Sequence, residues 1–198
     1  MRLSSKSHWD VPIDINGNRL HLLASHPTPP AFDGPEDRNG CRNADEIRFW
    51  VDYLAPETSA WIVDGSGRQG GLSEAAHFCI VGDLNADPND GASQAGSIQS
   101  LLDHPTVNNQ FTPRSDGAAE AHSVQGKKNK SHQGPADQDT ADFSDNAVGN
   151  LRVDYVLPSR TLSVTDSGVF WPTTGEPSAN LTDCSDHHLV WINVQLPK

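Results

Sequence analysis

The sequence predicts an α/β fold, and three observations carry that expectation. A β-hairpin centres on Asn16-Gly17, a capped helix with one apolar stripe covers residues 43–54, and short apolar runs recur at 78–81, 151–157, 162–171 and 189–194. At 198 residues the chain suits one domain, spanning residues 1–198, with a core of useful size. A hydrophobic fraction of 35%, with 16 Gly and 14 Pro, implies that much of it is loop.

The hairpin comes first. His8 to Ile15 sets Trp9, Val11, Ile13 and Ile15 on one parity, Asn16-Gly17 supplies a tight turn, and Leu20, Leu22 and Leu23 follow. Pro12 has no N–H for a ladder, so the first strand either lies at an edge or meets its partner around that point. The second strand runs out at Ser25-His26-Pro27-Thr28-Pro29-Pro30, where prolines stiffen the backbone around His26. That histidine is either a site residue or a surface-loop residue. Next, Asn43 with Glu46 three residues on reads as a capping box, and Ile47, Trp50, Val51 and Leu54 form a core-facing stripe that Pro56 ends. Trp61-Ile62-Val63 reads as a short strand.

Phe78 to Val81 has the continuous apolar pattern of a strand buried on both faces. Gly82 permits a sharp turn and Pro88 stops the strand, leaving Asp83 and Asn85 two residues apart at its end. An extended backbone there would point both side chains one way, toward a phosphate oxygen or a metal-bound water. The alternative is an Asx turn that merely closes the strand. Ser97 to Leu102 suggests a short helix. Residues 112–150 hold few apolar groups and predict a long, partly disordered surface loop, with Lys127-Lys128-Asn129-Lys130 as a solvated cluster inside it. Order resumes at 151–157, where Leu151, Val153, Tyr155 and Leu157 share one face and leave Asp154 on the other. A mid-strand carboxylate needs a partner, which marks Asp154 as a functional candidate. Leu162 to Trp171 is a further strand closed by Pro172, and Asp186-His187 stands where the last strand begins.

Composition narrows the function. A net charge of −12 argues against tight, non-specific DNA binding, which needs a basic face. It leaves open an enzyme that reaches phosphoesters through a cation. No run approaches the ~18 apolar residues of a membrane helix, and the polar start Met1-Arg2-Leu3-Ser4-Ser5-Lys6 has no signal-peptide character. The three cysteines, Cys41, Cys79 and Cys184, show no paired spacing, and Cys79 reads as a buried free thiol.

The polar candidates converge on one chemistry. An imidazole held by a carboxylate can take a proton from water near neutral pH, and a second Asp can hold a hard divalent cation through oxygen. Asp83 and Asn85 lie where a strand leaves a sheet, Asp186 and His187 where one enters. They share a rim if those two strands run antiparallel, and His26 and Asp154 can reach it.

These motifs resemble the endonuclease/exonuclease/phosphatase superfamily, the DNase I-like fold. Gly82-Asp83-Leu84-Asn85-Ala86-Asp87 is similar to its Gly-Asp-x-Asn-Ala motif, Ser185-Asp186-His187-His188 to its C-terminal Ser-Asp-His, Arg152 to Leu157 to its Asp-bearing strand, and Ser25-His26-Pro27 to its strand-end His. His26 to Pro30 and Asp139-Thr140-Ala141-Asp142-Phe143 are similar to a bacterial, often exported branch. The resemblance implies a four-layer sandwich of two mixed, largely antiparallel sheets flanked by helices. It implies a metal-dependent phosphoesterase acting on nucleic acid or on small or lipid phosphates, with Mg²⁺, or Mn²⁺ or Ca²⁺, as cofactor. His187 would be the general base oriented by Asp154, Asp186 the metal ligand, Asp83 and Asn85 the phosphate contacts, and His26 the second catalytic His. Family domains begin with a strand ending in Asn and a metal-binding Glu, and neither has a counterpart ahead of Trp9. The expectation is an N-terminally truncated domain with an incomplete first sheet, in which the alternative to catalysis is a non-catalytic homologue or binding module.

Overall fold

The structure, a computed structural model, describes residues 3–197. In chain order its elements are β1 (His8–Ile15), β2 (Asn18–Ser25), α1 (Arg38–Tyr53), β3 (His77–Asp83), α2 (Ser97–Leu102), α3 (Asp116–Gln125), β4 (Ala141–Asp142), β5 (Asn150–Leu151), β6 (Asp154–Pro158), β7 (Ser163–Phe170) and β8 (Leu189–Gln195). Asn16 and Gly17 take φ of 51° and 88°, the left-handed values a two-residue hairpin turn demands, and β1 pairs with β2 with Trp9 opposite Ala24 and Ile13 opposite Leu20. The chain then crosses through α1 so that β3 pairs parallel to β2, and β6 closes antiparallel on β3. The sheet is therefore mixed, in the order β1-β2-β3-β6, with the Pro12 strand at its edge.

One face of this sheet carries Leu23, Ile80, Tyr155 and Leu157 against Ile47 and Trp50 of α1 and Ile98 and Leu101 of α2, forming the main core. At 25 cal/mol per Å², burying a side chain of this size is worth roughly 1.5–3 kcal/mol. A second, two-stranded sheet of β7 and β8 carries α3, whose Ala118 and Ala121 meet Val169, Trp171 and Val190. The approach is close at Gly117, where a Cβ would lie 2.1 Å from the Trp171 carbonyl oxygen. Several sheets flanked by helices match the expected fold class, and β4 with β5 adds a small third sheet.

Three local expectations are corrected. Helix α1 starts at Arg38 behind a left-handed Asp37 (φ 48°), so Asn43 and Glu46 are buried mid-helix residues and not a cap. Trp61 closes a 3₁₀ turn, Ser59–Trp61, and Val63 makes only an isolated bridge to Gln69, so no strand forms there. Residues 112–150 are not one long loop: they contain α3, two 3₁₀ turns, β4 and β5, and they bury Ala118, Asn129, Thr140, Ala141 and Asn150. On β1 the residues of one parity, Trp9, Val11, Ile13 and Ile15, are all exposed.

Candidate active site

The antiparallel pairing of β3 with β6 sets Asp83 directly opposite Asp154 at the sheet's end. This pairing, and not one between β3 and β8, brings the carboxylates together, since β8 belongs to the other sheet. Because β2 runs parallel to β3, His26 just past β2 falls beside the same end, its Nε2 3.3 Å from Asp83 Oδ2. His187 arrives on the segment before β8, which is laced to 140–142: Asp142 N–H donates to Asp186 O (2.7 Å) and His188 N–H to Thr140 O (2.8 Å). Its Nδ1 donates to Asp154, at 2.9 Å from Oδ2 and 3.1 Å from Oδ1, leaving Nε2 facing Asp83 at 3.9 Å.

Asp154 is fixed in turn by Thr140, a residue that sequence reasoning assigned no role. The Thr140 hydroxyl is buried, donates to Asp154 Oδ2 (2.9 Å), and accepts from the Val153 and Asp154 N–H groups at 3.0 and 2.9 Å. Phe143 packs edge-on against the His187 ring, with centroids 5.4 Å apart. The signal for both was the stretch Asp139 to Phe143, which stood out only by its resemblance.

Asp83 and Asn85 form the Asx turn that was the second reading weighed for them, and the backbone at Asn85 is not extended. Asn85 has φ 51°, its N–H donates to Asp83 Oδ1 (2.8 Å), and its amide donates to Asp83 Oδ2 and Pro27 O, each at 3.1 Å. This is an Asx turn, and it aims Asp83 at both histidines. Leu84 points back into the core, fully buried. The buried polar pair of α1 braces the turn from behind: the Asn43 amide donates to Leu84 O (3.0 Å) and Thr28 O (2.9 Å), and the Glu46 carboxylate accepts from Thr28 N–H (2.5 Å) and from Ser5 N–H.

Charge is concentrated here. Burial, then the neighbouring Asp154, raises the Asp83 pKa against the opposing pull of the Asn85 N–H and both histidines. The Asp154 hydrogen bond is the main cause raising the His187 pKa above its ordinary 6.5, with burial opposing it. Asp186 sits slightly apart: it is exposed, no protein group bonds its carboxylate among the described residues, and it lines an adjoining cavity with Asp142 and Asp183. Among the described residues, the donors close enough to share one cation are Asp83, Asp154 and His187, within 4.8 Å of one another.

The profile of the Endonuclease/Exonuclease/phosphatase family matches residues 3–187. The chain belongs to that family. Members of the family are hydrolases of phosphoester bonds. No curated protein matches significantly. Among solved structures the chain is similar to an endonuclease/exonuclease/phosphatase from Beutenbergia cavernae, at 18% identity and a TM-score of 0.55 over 94% of this chain and 38% of that one. It is also similar to an endonuclease/exonuclease/phosphatase family protein from Leptotrichia buccalis (15% identity, TM-score 0.45, 94% and 52%). A third match is the 3′ phosphatase NExo from Neisseria bound to a product DNA hairpin (14%, 0.44, 94% and 64%). The chain thus spans less than two thirds of each of these proteins.

The donor set fits a hard divalent cation. Asp83 and Asp154 face each other within reach of His187, and burial first, then Asp154, makes Asp83 hold its proton more tightly than usual.

Proposed function

We propose that this chain hydrolyses a phosphoester by attack of a water activated at His187. The observation that carries the reading is the His187–Asp154 pair at 2.9 Å, with the free Nε2 turned toward Asp83 and His26. Nε2 accepts a proton from water as the new P–O bond forms and the bond to the leaving oxygen breaks. Asp154 orients the ring and balances the imidazolium. His26 donates to a phosphoryl oxygen, and Asp83 steers both histidines. Asn85 holds Asp83 and Pro27 and contacts phosphate only if one of those bonds is released.

We assign a divalent cation, Mg²⁺ first and Mn²⁺ or Ca²⁺ next, to Asp186, where it would neutralise charge on the phosphoryl oxygens. The spacing of Asp83, Asp154 and His187 supports a second placement, in which those donors hold the ion. Mn²⁺ binding followed by electron paramagnetic resonance separates the two: Asp186→Asn abolishes it in the first case, Asp154→Asn in the second. For the activity itself, Mg²⁺-dependent release of p-nitrophenol from bis-p-nitrophenyl phosphate is expected from the folded chain and not from His187→Ala. Equal release by both proteins would overturn the hydrolytic reading.

A further inference from the structure

A cleft of about 360 Å³ opens beside the proposed base, bounded on one side by His26, Asp83, Asn85 and His187. Its other walls are Pro29, Pro30, Phe32, Phe143, Val148 and Leu151. Phe143 is anchored, since it packs on the small core of Ala141, Leu151 and Val153 while its ring meets His187. Phe32 is the opposite case. It is 99% exposed at φ 63°, a conformation costly for a bulky residue, so its ring gains nothing from folding. Yet its turn is tied down on both flanks: the Asn39 amide donates to Ala31 O (2.6 Å) and the Asn39 N–H to Asp33 Oδ2 (2.5 Å). An aromatic held in water at the mouth of a site is explained by a ligand that covers it.

Charge sets the kind of ligand. Asp87 and Asp90 line the cleft, and among the described residues no lysine or arginine does. A groove that reads single-stranded nucleic acid pairs its stacking rings with cations along the backbone, and an anionic bilayer calls for the same. The volume lies near the lower end for ligand pockets, enough for a phosphoryl group and one ring.

We propose that this cleft accepts the single compact apolar substituent, one aromatic ring or a branched alkyl group, of a small phosphoester and disfavours nucleic acid. The inference rests on the phosphoester reading of the site, and its test reads binding. Methyl phenylphosphonate and methyl methylphosphonate carry the same single charge and differ only in the ring. Calorimetric titration of the full chain with Mg²⁺ present is expected to show the phenyl compound at least about tenfold tighter. That ratio should fall at least threefold in Phe32→Ser and in Val148→Asp, both surface changes that leave the core intact. Equal affinities, no binding of either compound, a ratio untouched by both substitutions, or tighter binding of a thymidine dinucleotide would each overturn the assignment. Ring preference without turnover of bis-p-nitrophenyl phosphate would sink the hydrolytic reading and keep the cleft; turnover without ring preference would do the reverse.

Discussion

At the scale of single residues, the site turns on how two acids treat their protons. His187 works as a base only when neutral, and Asp154 raises its pKa above 6.5, so activity should fall as pH drops through that raised value. Asp154→Asn removes the main cause of the rise. The acid limb of the kcat profile should then move to lower pH while kcat falls by roughly 10²-fold or more. A pH–rate profile with the limb unmoved would dissociate Asp154 from the base. Asp139 behaves differently. It is buried with Asp87, Asp90 and Asp137 nearby, and burial first, then those carboxylates, pushes its pKa from 3.8 to about 8. The folded state therefore binds more protons than the unfolded one between those values, and stability is lost as pH rises across that window. Asp139→Asn should stabilise the chain at pH 7–8 by on the order of 1–3 kcal/mol and do little at pH 4, checked by thermal melts in metal-free buffer. The His187–Asp154 pair was legible in the sequence because an Asp in mid-strand and a His at a strand start each need a reason to be there. Thr140 was not, because a hydroxyl that bonds a carboxylate ten or more residues away leaves no local pattern.

At the scale of elements, the strand-turn that carries Asp83 depends on backbone that only glycine fits. Gly82 has φ 138°, and a Cβ there would stand 2.0 Å from Ser25 O on the neighbouring strand. Gly82→Ala should push β2 and β3 apart at the point where His26 and Asp83 meet. The expected outcome is a loss of about 2–4 kcal/mol in denaturant melts, with any surviving activity reduced as well. The hairpin, the core stripe of α1 and the strands β3, β6, β7 and β8 were legible because turn chemistry and periodicity act over a few residues. Asn43 and Glu46 show where that logic fails: their spacing is that of a capping box, but their partners are Thr28, Leu84 and Ser5, set by tertiary packing. Helix α3 was missed for a related reason. It docks through Gly117, Ala118 and Ala121, small residues that give no apolar stripe but let the helix lie close to Trp171.

At the scale of the whole molecule, one face of the four-stranded sheet is left largely uncovered toward its β1 edge. The register places Trp9, Val11 and Ile13 beside Ala24, Leu22 and Leu20, a contiguous apolar patch at a strand edge whose N–H and C=O groups on one side have no ladder partner among the described residues. Trp9 is 59% exposed, and Val11 and Ile13 are each 39% exposed. Monomeric proteins rarely show such a patch on an open edge, because it recruits other apolar surfaces and other strands. The chain as described should therefore self-associate as concentration rises, its net charge of −12 opposing but not preventing it. Val11→Lys with Ile13→Lys places charge on the exposed face without touching the α1 core, which lies on the sheet's other side. Sedimentation velocity across a concentration series should show the wild-type distribution shifting to larger species and the double variant remaining monomeric, with the hairpin intact by circular dichroism. A wild-type chain that stays monomeric at high concentration would mean that the patch is too broken by polar neighbours to act as one surface.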